Sequence, residues 1–388
     1  MLSVVAGHDS GRAVRWLVAG VLLTTACGDG ADTAAAAGDD PAMGSMDAGG
    51  DAGQDATVGA EPVMDASSGD AASDATMPGP RDAGPDPTDS AVPNPLPMSL
   101  FETGLYADDS MAQLAAGVRP FTPRSPLWSD GASKRRFLYL PPGTRIDVSD
   151  IDGWVFPVGT KAWKEFADGN TLIETRLVEK RPEGWFMMAY AWNAEGTDAR
   201  AVIDGVANAL GTQLDIPAAS VCVECHDGAT DTVLGASALQ LGYDGAPLSL
   251  QDLEAAGLLS ATPAQTTFAL PGDADAQLTL GYLSANCGHC HNPLSPNYGM
   301  GGEMNLLLGV GELATVAATP AYVTTVGVDL DSSLAGYAQR IVAGDPSMSG
   351  LVARMAADKT EDHAMPPIAT EVVDQAALQT IRDWIAAL

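Results

Sequence analysis

Cys287-Gly288-His289-Cys290-His291 repeats, in form, the pentapeptide Cys222-Val223-Glu224-Cys225-His226, and apart from Cys27 these segments hold every cysteine of the 388-residue chain. Two cysteines three positions apart stand one helical turn from each other, so both thiols reach the same side of one planar ligand. Cys-x-x-Cys-His is the attachment sequence of c-type haem. The cysteines bond the two porphyrin vinyl groups, and the histidine that follows supplies the proximal nitrogen to the iron. The repeat therefore predicts two covalent haems c, attached through Cys222, Cys225, Cys287 and Cys290, with His226 and His291 as metal ligands. The chemistry to expect is one-electron transfer.

Other uses of paired cysteines fit less well. A zinc ribbon spaces its pairs by about 15–20 residues, whereas here residues 226 to 286 lie between them. A thioredoxin-like motif does not need a histidine directly after both pairs, and a disulfide framework, natural in an exported protein, leaves both histidines unexplained.

Working outward, the N-terminus supplies an oxidising compartment. Arg12 and Arg15 form a basic region before a short apolar run at 16–26, as in a secretory signal. About 20 apolar residues are needed to span a bilayer, so this run is too short. Leu23-Thr24-Thr25-Ala26-Cys27 resembles a bacterial lipoprotein signal, with Cys27 as the lipid attachment residue. Thr24 departs from the usual leucine and leaves an ordinary secretory signal open. Gly28 after Cys27, with no aspartate there, points to the outer membrane, facing the periplasm or the exterior.

Residues 27–98 follow as a tether of Ala, Gly, Asp, Ser, Pro and Met. Residues 28–98 carry no aromatic residue, and fourteen acids stand against the single base Arg81. Such composition cannot bury enough apolar surface to fold, and a coil of this length spans roughly 45 Å. Scattered acids could hold calcium, but their spacing does not repeat as an EF-hand requires. The tether contributes thirteen of the chain's 31 net negative charges, and the folded part carries most of the rest. Nucleic acid and anionic lipid are poor partners for such a protein. A redox partner with a basic patch, and a membrane reached through a lipid anchor, are the partners to expect.

The fold class to expect is α+β: a β-rich, antiparallel sandwich-like domain at 99–200, a first haem-binding region at 201–273, and a mainly α-helical cytochrome c domain at 274–388. Strands read at 136–140, 154–156, 161–166, 172–178 and 185–192, with Asp168-Gly169-Asn170 and Pro182-Glu183-Gly184 as turns. Five of the seven tryptophans (Trp128, Trp154, Trp163, Trp185 and Trp192) fall here, as core or as walls of the first haem. Lys134-Arg135-Arg136 is a solvated face, or a partner for haem propionates or an acidic protein.

Further on, 276–285 reads as a helix entering Cys287, and 374–388 as an amphipathic final helix with Leu378, Ile381, Trp384, Ile385 and Leu388 on one stripe. Gly281 and Trp384 are the pair expected where first and last helices cross. Asp345-Pro346 opens a helix through Leu351, Val352 and Met355. Met365, stiffened by Pro366-Pro367, is the expected sixth ligand of the second haem. Met355 reads as core, His363 as the alternative ligand, and His289 as pointing to solvent. For the first haem, Met187, Met188, Met300 and Met304 are candidates and none stands out; beyond His8 the chain has only His226, His289, His291 and His363, which two bis-histidine haems would use up, and the iron is otherwise closed by a methionine or five-coordinate.

Pro126-Leu127-Trp128-Ser129-Asp130-Gly131-Ala132, Phe156-Pro157-Val158-Gly159-Thr160, the two haem motifs and Met365-Pro366-Pro367 together resemble a family of exported bacterial dihaem c-type cytochromes with a β-rich N-terminal region. The resemblance covers about residues 99 to 388. It implies His226 and His291 as proximal ligands and Met365 as the distal ligand of the second haem, without naming a reaction. Three functions follow as expectations. The first is an electron carrier in the cell envelope. The second is a haem enzyme acting on peroxide or another small molecule at an open first iron. The third is a binding protein whose first motif holds no haem.

Overall fold

The computed structural model describes residues 96–388 apart from 230, 232 and 301. The expected signal peptide, Cys27 and all but the last residues of the tether lie outside the described residues. Those described belong to one compact unit.

Its centre is a sheet of β1 (Arg119–Phe121), β2 (Ser133–Tyr139), β3 (Lys161–Asp168), β4 (Thr171–Arg181), β5 (Gly184–Trp192) and β6 (Ala199–Val202). All neighbours are antiparallel and in sequence order. Tight turns join β3 to β4 and β4 to β5, while longer segments join β1 to β2 and β2 to β3; Gly169 takes the positive φ of +54° that the β3–β4 turn requires,. Side chains alternate across the sheet. The row Phe137, Trp163, Leu177 and Met188 lies in register on one face, and Leu138, Ala162, Val178 and Met187 on the other. The first row packs with Leu100, Leu105, Tyr190 and Trp192. The second joins a larger core with Ile146, Trp154, Phe156, Leu250, Leu280 and Leu306.

The β region is thus a single sheet rather than a sandwich, covered on the second face by loops and short helices. Residues 154–156 form one bridge only, Val155 to Asp147. Trp154 and Phe156 are buried side by side, edge to face at 6.2 Å.

Beyond the sheet come α1 (Cys222–His226), α2 (Ala238–Leu241), α3 (Leu250–Ala255), α4 (Ala274–Asn286), α5 (Pro320–Val323), a ribbon of β7 (Asp329–Leu334) and β8 (Tyr337–Gln339), α6 (Gly350–Ala356) and α7 (Gln375–Ala387). Residues 274–388 are therefore not mainly α-helical. Apolar periodicity of helical length exists only at their two ends, while Gly, Pro, Asn and Ser interrupt 292–311 and break helices.

The end helices form where expected, except that Leu388, placed on the final apolar stripe, is exposed just beyond α7. Asp273 and Asp374 cap α4 and α7 by accepting from Ala276 N and Ala377 N,. Leu283, Leu378, Ile381, Trp384 and Ile385 form a core with Leu351, Val352 and Met355. The Gly281–Trp384 pairing is corrected. A side chain at 281 would meet Ser125 and Leu270, so this glycine admits the segment before β2. Asp345 caps a 3-10 turn at Pro346–Met348, and α6 begins only after Ser349. No helix among the described residues is long and apolar enough to cross a membrane.

Candidate functional site

The two Cys-x-x-Cys-His segments, 60 residues apart in sequence, touch. The first is α1 itself, and Cys222 and Cys225 are half-buried. The second begins at the C-cap of α4, where Cys287 N donates to Leu283 O (3.0 Å) and His291 N to Cys287 O (2.8 Å). The Cys290 Sγ lies 3.6 Å from the carbonyl oxygen of Glu224. Gly228 follows the first segment, and a side chain there would run into the carbonyl oxygen of His289. Asn292, wholly buried, donates from Nδ2 to Gly228 O (2.7 Å), Gly288 O (2.6 Å) and His289 O (3.3 Å). One amide thus fastens both segments, a role that sequence reasoning missed because an asparagine after a motif carries no signal of what it bonds.

A cavity of about 500 Å³ opens beside them, within the range of small-molecule and cofactor sites. His226 lines it, with Trp154, Phe156, Leu239 and Leu307 among its apolar walls. Its sheet side carries Arg136, Lys164 and Arg176, aligned across β2, β3 and β4. Arg176 pairs with Glu174 at 2.5 Å, and its guanidinium and the Lys164 ammonium lie over the Phe166 ring. Among the described residues, Arg136 and Lys164 have no ion pair. Burial pushes Arg136 down to about 10. Burial, then Arg136, Arg176 and Lys134, hold Lys164 well below the lysine range, opposed by Glu174. Lys134 donates to Leu127 O (2.6 Å) and Arg135 pairs with Glu165 on the other face of the sheet, so Lys134-Arg135-Arg136 is no uniform solvated face. Carboxylates also reach the cavity. Asp231 accepts from Phe156 N and Lys180, and Asp152 from Val310 N.

His289 is corrected: its ring lines this same cavity instead of pointing to solvent. The reversal follows from the backbone contact with Gly228, which seats the second segment against the first. Burial depresses its imidazole to about 4; the Ala285 carbonyl acts the other way, yet Nδ1 is buried without a hydrogen bond of proper distance and angle. His291 Nδ1 is likewise buried and unpartnered, and burial, Arg340 and Arg354 lower this ring. All four thiols are pushed up by burial, Cys287 to about 12 and Cys290 to about 11.

Met365 is half-buried. Its N donates to Arg354 O (2.9 Å) and its carbonyl accepts from Lys359 Nζ (2.7 Å). Lys359 acts electrostatically on Cys287, and Arg354 on His291. The His363 ring lines a separate crevice with Asp358, Glu361 and Arg382. Met187 is buried in the core on the cavity side of the sheet, Met188 lies on the opposite face, Met304 packs against the larger core and Met300 is 80% exposed. None of the four lines the cavity.

The segment 126–132 fastens these parts. Trp128 N donates to Asn286 Oδ1 (2.5 Å) and its Nε1 to Val372 O (2.9 Å). Asp130 accepts from Glu371 N and Val372 N. Among the described residues, no three His, Cys, Asp or Glu side chains converge to hold a bare metal ion. No family model matches this chain, and no curated protein or solved structure is found to be similar to it.

Proposed function

We propose that this protein is a dihaem c-type cytochrome that carries electrons in the cell envelope, of the exported bacterial family its motifs resemble. The observation that carries the reading is the contact between two complete Cys-x-x-Cys-His segments beside a cavity lined by His226. At the first site the residues present fit the group: aromatic and aliphatic walls suit a porphyrin ring, and Arg136, Lys164 and Arg176 suit its carboxylates. At the second, His291, whose buried Nδ1 makes no hydrogen bond, suits a ring that has a ligand to meet,.

In this reading Cys222 and Cys225 hold one haem c and Cys287 and Cys290 the other. His226 and His291 are proximal ligands, and Met365 closes the second iron. When bound, each haem supplies a one-electron couple. The protein's own work is to fix two proximal histidines on touching segments, to exclude water with the sheet core, and to set the charge around each site. Met365, holding the second haem together with His291, would raise the potential of that site. Export, a lipid anchor at Cys27 and location at the outer membrane belong to the same proposal, as does a redox partner protein.

Spectroelectrochemical titration of the purified exported protein tests it. Two one-electron waves with haem absorption are expected. Protein with no haem spectrum, or with turnover of peroxide at a rate matching its reduction, contradicts the carrier.

A further inference from the structure

The geometry points to His289, between the two cysteines of the second segment, as the sixth ligand of the iron held by His226 at the first. This assignment rests on the dihaem reading above and completes the one coordination site that the motifs leave open.

An inventory of the cavity carries it. Among the described residues that line it, His226 and His289 alone bear an imidazole, and no methionine or cysteine does so. The methionines considered from sequence are in the sheet cores, packed against the larger core, or at the surface. His363 lines its own crevice. The backbone behind His289 is held from both sides. Its carbonyl accepts from Asn292 Nδ2 and abuts Gly228, two residues after His226, at a place where no side chain fits. His289 is thereby held at the cavity by a braced turn, with its Nδ1 buried near the Ala285 carbonyl but making no well-formed hydrogen bond. A buried imidazole braced in this way without a full hydrogen bond costs stability that a ligand to the ring offsets. Lys164 is the one amine among the described residues that line the cavity, and it stands in a row of cations between Arg136 and Arg176.

Two consequences follow. The first iron is closed by two histidines and the second by His291 and Met365, so the two sites differ in potential and the second is the higher. Electrons therefore pass from the first haem to the second. In addition, one pentapeptide serves both irons, which ties the two sites mechanically.

The test uses the purified exported protein, with its haem content counted first. Near-infrared magnetic circular dichroism of the oxidised protein is expected to give one His/His and one His/Met signature. Carbon monoxide is not expected to bind the reduced protein. In His289→Ala, with both haems retained, the His/His signature disappears and one carbon monoxide binds per protein. In Lys164→Met the signature stays. Two haems with no His/His signature in the unaltered protein, or a His/His signature that survives His289→Ala, overturns the assignment alone. A count below two overturns the dihaem reading on which it rests.

Discussion

One methyl group at residue 228 would push the two haem-type segments apart, because its place is filled by the carbonyl oxygen of His289. Overpacking of this kind costs about 1–3 kcal/mol, and here the resisting atom is backbone. Gly228→Ala is expected to lower the unfolding free energy by that order without altering the cysteines; an unchanged unfolding free energy contradicts the contact. Asn292→Leu removes the donor to Gly228 O and Gly288 O and leaves buried carbonyls unpaired, at about 1–3 kcal/mol. Denaturant unfolding at constant slope checks it, and Asn292→Asp, which keeps the shape without the donor, is expected to fare no better. At this scale the repeated pentapeptide itself was legible, being read from spacing alone. His289 was not, because its direction is set by a glycine 61 positions earlier rather than by its neighbours in sequence.

Across β2, β3 and β4, register alone lines up Arg136, Lys164 and Arg176. Positive charge beside a redox centre favours its reduced form, so neutralising Arg136 (Arg136→Gln) is expected to lower one midpoint potential and leave the other in place. Lys164 adds a pH dependence with a definite sign. Its ammonium is held well below the lysine range by burial and by Arg136, Arg176 and Lys134, so it loses its proton as pH rises through that lowered range. The potential of the same site should fall over that interval. Lys164→Arg, which stays charged, should abolish the fall, and a potentiometric titration at several pH values decides. The central strands were legible because β3, β4 and β5 are long and rich in aromatic and β-branched residues. The edge strands β1 and β6, of three and four residues, carry too little pattern to read. Residues 154–156 look like a strand for the same apolar reason that buries Trp154 and Phe156 as loop residues.

The larger core runs from Phe121 to Ala321 and joins the sheet, α2, α3 and α4, so the sheet forms one wall of the site at His226. Residues 126–132 pin that wall to the end of α4 and to the loop before α7 through Trp128 and Asp130. The end helices were readable from sequence because each carries its own cap and apolar stripe. The irregular chain between them was not, since long-range packing rather than local propensity shapes it. Mass spectrometry of the denatured, purified exported protein, with Cys225→Ala and Cys290→Ala beside it, tests the central claim most directly. Two covalent haems in the unaltered chain, with attachment weakened at one site in each variant, is the result expected. A chain with no haem mass, or one whose haem is indifferent to Cys225 and Cys290, contradicts it.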